Sequence, residues 1–182
     1  MFDDTQLFCL LLLEDGGSDL ESYPLKKWST AWSCLTQVIL SLAAAETLLN
    51  FEHRDLHVSN ILITPTQNPE TQTYLTSSIP SGGPSFRIPT FGVTAKIIDY
   101  TLSRLEQNGE LFYLNLEDEG FFAGEGDYQF DIYRMMREET NEDWKGFHPK
   151  TNIYVSNFAR RATNLFSNTI LVDPLSPAQT PQ

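Results

Sequence analysis

The sequence predicts an α+β fold, mostly helical, with one small strand pair. Three observations carry this. Apolar residues recur every three or four positions over 28–50, with no Pro or Gly to interrupt them, which specifies a long helix. Two further helical patterns cover 128–139 and 151–170. Short apolar runs at 61–63 and 95–99 read as strands that pair across the segment between them. A chain of 182 residues, 41% hydrophobic, is one domain's worth or one large piece of a bigger domain, and it can bury a core.

Residues 7–13 (LFCLLLL) form an apolar block stopped by Glu14-Asp15-Gly16-Gly17, a buried strand running into a glycine-supplied turn. Ser18 or Asp19 caps the next segment. The 28–50 helix carries Trp28, Trp32, Leu35, Val38, Ile39, Leu42, Ala45 and Leu49 at its apolar positions. Residues 51–60 are a polar loop, and Ile61-Leu62-Ile63 a strand. Residues 64–94 hold five of the ten prolines with many Thr, Ser and Gly, so no packed element is expected there, only a long mobile insertion. The strand resumes at 95–99. A tight turn is expected at Gly124–Asp127, then the 128–139 helix with Phe130, Ile132, Tyr133 and Met136 inward. Ile153, Val155, Phe158, Leu165 and Phe166 are the apolar positions of the last helix. The tail, residues 174–182, reads as disordered.

Charge narrows the function classes. There are 24 acidic against 12 basic side chains, a net charge of -12. Such a chain repels phosphate backbones and anionic lipid, so neither direct nucleic-acid binding nor a membrane is expected, and a basic peptide partner suits it. A solvated acidic surface is the plainer reading. Cys9 and Cys34 make no disulfide framework and no zinc spacing, so a reducing compartment is expected. The run Phe8–Leu13 is too short to span a membrane and lacks the basic flank of a signal peptide.

The chemistry concentrates in His53-Arg54-Asp55, Asn60 and Asp99. Phosphoryl transfer needs positioned charge more than covalent help: a carboxylate to orient the acceptor hydroxyl, and oxygen ligands to hold magnesium on the nucleotide phosphates. Asp55 and Asn60, five apart on one loop, supply the carboxylate and one ligand. Asp99, at the end of the neighbouring strand, supplies a second ligand. The spacing His-Arg-Asp-Leu-x-x-x-Asn matches the protein-kinase catalytic loop position for position. An Asp and an Asn capping a turn is the competing account. A metal site from His53, Asp55 and His57 is formally open but ill-spaced. His148, before Pro149, reads as a structural loop residue.

The chain resembles the C-terminal lobe of the haspin-like atypical kinases. The residues that carry this are Leu13-Glu14 with Gly16–Glu21, Phe51–Asn60 (FEHRDLHVSN), Ile97–Glu106 (IIDYTLSRLE), Gly124–Arg134 (GEGDYQFDIYR), and His148-Pro149 with Asn152. Matches run from about residue 5 to residue 160. The resemblance implies a protein kinase-like C-lobe over 1–173 with the strand pair at the catalytic face. It implies transfer of the ATP γ-phosphate, with Mg2+, to a threonine in a basic histone tail, by a monomer that is nuclear and chromosome-associated, or cytoplasmic as well. It makes Asp55 the catalytic base, with Arg54 steadying the loop. Glu14, Gly16 and Gly17 become the adenine-receiving hinge, Asp19 the ribose contact, and Asn60 and Asp99 the nucleotide's magnesium ligands. His57 stands where many protein kinases place a Lys on the transferred phosphate; phosphate contact and structural packing are both open to it.

Glu117, Asp118, Glu119, Glu125 and Asp127 lie where the family forms a negative groove for the histone tail. The residues agree with that: 105–133 hold eight carboxylates and no Lys or Arg. A solvated acidic loop is the alternative, and for Asp127 a helix cap. The magnesium motif departs from Asp-Phe-Gly, reading Asp99-Tyr100-Thr101, and without the glycine the segment is expected to hold one state. No Gly-rich phosphate loop or strand Lys occurs, so the N-lobe is read as absent from these residues and the chain alone as weakly active or inactive. Two alternatives remain: a catalytically incomplete lobe that binds basic tails, and a small-molecule kinase of the aminoglycoside or choline type.

Overall fold

The computed structural model describes residues 7, 9–10, 12–66, 74–78 and 85–155. Its centre is a three-stranded antiparallel sheet in the order β1-β2-β5, from β1 (Ser18–Asp19), β2 (Ile61–Pro65) and β5 (Val93–Ile97). Ile61 faces Ile97 and Ile63 faces Ala95, so the expected strand pair forms, with β1 added along the other side of β2. Ile61 and Ile63 point one way and are fully buried, while Leu62 and Thr64 are only half-buried, the period-2 alternation of a sheet covered on one face.

Helix α1 (Trp28–Leu49) covers that face. Cys34, Val38 and Leu42 enter the core with Phe51, Leu56 and Val58. Burial pushes the Cys34 thiol up to about 12, so it is an inert core group. The helix ends at Asn50, whose left-handed backbone (φ 46°) lets its N–H bond Glu46 O. The buried stripe is shifted from the apolar pattern. Trp28, Trp32 and Ile39 are exposed, and the polar Ser33 and Gln37 are inside. Gln37 explains the shift: its Nε2 donates to Ser33 Oγ (2.8 Å) and Val93 O (3.2 Å), and its Oε1 accepts from Ala95 N (2.8 Å). Length and apolar content alone would let α1 cross a membrane, but these polar bonds tie it to β5.

Two expectations need correcting. The block 7–13 is expected as a buried strand, but its described residues are irregular, and Leu7, Leu10, Leu12 and Leu13 are exposed. The segment 64–94 is not without packed structure. Strands β3 (Tyr74–Ser78) and β4 (Ser85–Pro89) form an antiparallel hairpin with Tyr74 opposite Pro89. Its end rests on α1, with Ser33 Oγ donating to Pro89 O at 2.8 Å and Thr30 Oγ1 to Phe91 O at 3.2 Å. Pro89 closes a strand here because proline is tolerated at strand ends, so proline density misreads the segment.

A second hairpin, β6 (Leu105–Gln107) with β7 (Glu110–Phe112), turns at Asn108-Gly109, both with positive φ. The strand content is therefore larger than one pair. After a short turn, α2 (Gly120–Ala123), comes α3 (Tyr128–Thr140), with Ile132, Tyr133 and Met136 inward as the periodicity predicts. Helix α4 (Lys150–Val155) begins the last expected helix; its Ile153 is exposed, and 156–170 and the tail lie outside the described residues.

Candidate active site

The loop before β2 is polar in sequence yet buried. Glu52, His53 and Arg54 are all fully inaccessible. Glu52 exchanges two backbone bonds with Arg104 (2.8 and 2.9 Å), which fixes the loop's entry. Its carboxylate takes Arg54 Nε (3.2 Å), His148 N (2.8 Å) and Thr151 Oγ1 (2.8 Å). Arg54, in the left-handed region at φ 66°, also donates to Trp144 O at 2.8 Å and lies over the Trp144 ring. A buried guanidinium needs such acceptors; Nε and Nη2 have them, while the buried Nη1 has none among the described residues. His148 takes part through its backbone N–H, and its buried Nε2 has no partner among the described residues.

His53 is held by four bonds, each with a backbone atom at one end. Its N–H donates to Asn152 Oδ1 (2.8 Å) and its carbonyl accepts Ser103 Oγ (3.1 Å). Asp55 N donates to His53 Nδ1 (3.3 Å), so Nδ1 bears the lone pair and Nε2–H donates to Ile98 O (3.1 Å). Burial depresses its pKa, consistent with a neutral ring. Both ring nitrogens are engaged, so the His53–Asp55–His57 metal site is excluded.

Asp55, Asn60 and Asp99 meet at one end of the sheet. Asn60 closes the 3-10 turn Val58–Asn60 and immediately precedes Ile61; Asp99 lies two residues beyond Ile97, the register partner of Ile61. The link is direct: Ile98 N donates to Asn60 O at 3.0 Å. Asn60 Nδ2 donates to Asp55 O at 3.0 Å, tying both ends of the catalytic loop. The amide oxygen of Asn60 is bonded by none of the described residues. Asp99 has φ 63°, and its Oδ1 accepts Thr101 Oγ1 (2.6 Å) and Thr101 N (3.2 Å). Those bonds hold its carboxyl below the usual carboxylate range. Its Oδ2 is likewise unbonded among the described residues. One amide oxygen and one ionised carboxylate oxygen at the same end of the sheet are the donor types that suit a hard cation such as Mg2+, which takes its remaining ligands from water and phosphate.

Tyr100 follows Asp99 and is pinned. Its hydroxyl donates to Ile97 O at 2.7 Å, and its ring meets Phe51 (5.9 Å, edge-on) and His53 (5.5 Å). The Asp-Tyr-Thr segment thus has partners for each of its side chains. His57 is half-buried, and its imidazole makes no hydrogen bond among the described residues.

The hinge candidates sit across β2. Thr64 Oγ1 donates to Gly16 O (2.7 Å), and Gly17, at φ 87°, packs so closely that a Cβ there would stand 2.2 Å from Ile63 O. Glu14 is exposed and pairs with Lys96 at 3.2 Å. Asp19 caps the following turn through Ser22 N (2.8 Å), which lowers its pKa, and Ser59 Oγ donates to Glu21 Oε2 (2.9 Å). Gly16 and Gly17 therefore lie along the strand that begins just after Asn60.

The acidic segment is less open than its sequence. Glu119 receives Arg137 Nη1 at 3.2 Å on both oxygens, and Asp118 Oδ1 accepts Gly120 N (2.8 Å). Glu117 accepts the Asn115 amide. Asp127 caps α3 by accepting Gln129 N (3.0 Å). Asp127 and Glu125 are exposed all the same. The neutralising arginines come from α3, beyond the stretch that lacks basic residues.

Sequence reasoning missed Glu52, Gln129 and Tyr133. Gln129 Nε2 and Tyr133 Oη donate to Asp55 Oδ1 at 2.8 and 2.6 Å. Their i,i+4 spacing on the face of α3 that carries buried Ile132 and Met136 was the available signal.

Known proteins share this pattern. The family model for the haspin-like kinase domain matches residues 1–168. The serine/threonine-protein kinase haspin of Mus musculus is 46% identical over 155 residues, 84% of this chain and 20% of that protein. The haspin homolog of Drosophila melanogaster is 42% identical over 154 residues (84% and 26%), and that of Arabidopsis thaliana 38% over 154 (84% and 25%). The chain spans about a fifth to a quarter of the length of these relatives. With a kinase-type catalytic loop at the end of the sheet and a match over nearly its whole length, this chain belongs to the haspin-like kinase family.

Proposed function

We propose that this chain is the C-terminal catalytic lobe of a serine/threonine protein kinase that transfers the ATP γ-phosphate to a threonine in a basic histone tail. The observation that carries the reading is the meeting of Asp55, Asn60 and Asp99 at one sheet end, joined by the Asn60–Asp55 and Ile98–Asn60 bonds. Asp55 Oδ2 accepts the hydrogen bond of the threonine hydroxyl and aims its oxygen at the phosphorus. Asn60 and Asp99 hold Mg2+, which neutralises charge on the phosphates. Gly16 and Gly17 present backbone to the adenine, Asp19 faces the ribose, and His57 faces the transferred phosphate. The exposed carboxylates Glu125 and Asp127, with Glu117, receive the basic side chains of the tail. Acting on histone tails, the protein works in the nucleus, on chromosomes.

The test is transfer of radiolabelled phosphate by the endogenous polypeptide, captured through this chain. The acceptors are a basic histone-tail peptide, the same peptide with its threonine replaced by valine, and a panel of small alcohols. Label on the threonine peptide alone, abolished by Asp55→Asn, is expected. Label on the alcohols would make it a small-molecule kinase. Retention of the peptide with no label on any acceptor would make it a tail-binding module. The 182-residue chain by itself, lacking a glycine-rich phosphate loop, is expected to turn over slowly at best.

A further inference from the structure

We propose that Tyr133 and Gln129 are positioning residues for Asp55: together they occupy one carboxylate oxygen and leave the other as the sole acceptor for the substrate hydroxyl. This rests on the kinase reading. Tyr133 Oη donates at 2.6 Å and Gln129 Nε2 at 2.8 Å, both to Oδ1. Oδ2 receives nothing among the described residues. A side chain free to rotate about its Cα–Cβ and Cβ–Cγ bonds would point its carboxylate in several directions; one doubly bonded at Oδ1 presents a single oxygen in a single direction. Fixing that direction is where a kinase gains rate, since its base orients the nucleophile more than it removes a proton.

The two donors are themselves fixed. Gln129 Nε2 also lies 2.8 Å from Tyr133 Oη, one turn further along α3. The helix is started by Asp127, whose side chain caps Gln129 N at 3.0 Å. The Tyr133 ring is buried edge-on against Phe121 at 5.8 Å, so the hydroxyl cannot swing to water. Burial, then the bond to Asp55, raises the pKa of this hydroxyl, so it stays a protonated donor throughout the working range. Arg134 anchors the same helix to the preceding loop through Phe122 O (2.7 Å) and Gly124 O (2.9 Å). One rigid element therefore carries both the acidic loop's end and the clamp on the base.

Tyr133→Phe removes only the hydroxyl, and Gln129→Met only the amide. Each is expected to lower kcat about tenfold with the peptide KM unchanged, because neither touches peptide; a 1 Å misplacement of a reacting group is costly on this scale. The double variant is expected to lose less than the product of the two, since both bonds serve one oxygen. Three-bond NMR couplings of Asp55 should report one χ1 rotamer in the native chain and averaging in the double variant. Unchanged kcat in both single variants, or an unaveraged Asp55 in the double variant, overturns the proposal. So does a kcat loss matched by a collapse of the urea midpoint, which marks a merely structural role. If the native polypeptide phosphorylates nothing, the kinase reading fails while the couplings still decide whether Asp55 is clamped.

Discussion

Arg54 and Glu52 form an ion pair at 3.2 Å with neither side chain reaching solvent. They are two residues apart, and Arg54 takes a left-handed backbone with φ 66°. The pair joins the catalytic loop to the 144–151 segment, because Glu52 also holds His148 and Thr151 while Arg54 holds Trp144.

Glu52→Ala strands that guanidinium in the core. Breaking one side of a buried pair costs about 3–5 kcal/mol, a large share of a domain's stability. The urea midpoint should fall sharply, and Arg54→Met combined with Glu52→Leu should recover part of it. An unchanged midpoint in the single variant would show that the pair contributes nothing.

Gly17 and Gly16 make a contrast. At Gly17 an added Cβ meets backbone, Ile63 O at 2.2 Å, and φ is 87°; at Gly16 it meets the tip of Leu62 at 2.3 Å. Gly17→Ala should cost about 2 kcal/mol or more, because β1 must leave β2 and the left-handed backbone is strained. Gly16→Ala should cost about half as much, because Leu62 can change rotamer. Thermal unfolding of the two variants checks the order.

Gln37→Leu keeps the volume and removes both bonds to β5, leaving Val93 O and Ala95 N to find other partners. A loss of about 2 kcal/mol is expected, and amide exchange at Ala95 should quicken. Exchange unaltered at Ala95 would show that the side chain does not hold the strand.

Much of the site could be read from the chain, for physical reasons. Asp55 and Asn60 lie on one loop, and a five-residue spacing survives any fold that makes the loop. The β2–β5 pairing followed from two short apolar runs, 61–63 and 95–99, flanking the segment between them. Glu52 was invisible because a carboxylate is ordinarily a surface residue, and its burial depends on Thr151, 99 residues on. Gln129 and Tyr133 reach Asp55 across 74 and 78 positions, a distance no local pattern encodes. The run 7–13 misled because apolar character alone does not fix burial: its described leucines are exposed.

Stability should depend on pH through His53. Burial lowers its pKa from 6.5 in the folded protein. Above that value both states are neutral and the contribution is full. Below it the unfolded chain binds a proton that the folded protein resists, so stability falls as pH drops from 6.5 toward the folded value. Urea midpoints between pH 8 and 5 should decline over this interval, and the His53 ring should titrate below 6.5 by NMR. Asp99, also lowered, acts in the same direction but near and below 3.8, so the two are separable.

The β2–β5 ladder has two ends with different tolerances. Asn60 and Ile98 close one end; Pro65 faces Val93 at the other, where Thr66 N still bonds Gly92 O at 2.9 Å. Thr66 and Gly92 leave the ladder at the end away from Asn60 and Ile98. Chain added there lengthens a loop whose closure is already made by the ladder, and doubling such a loop costs only about 0.6 kcal/mol. Residues added there should leave the pairing of Ile61 with Ile97, and with it the placement of Asn60 and Asp99, unaltered.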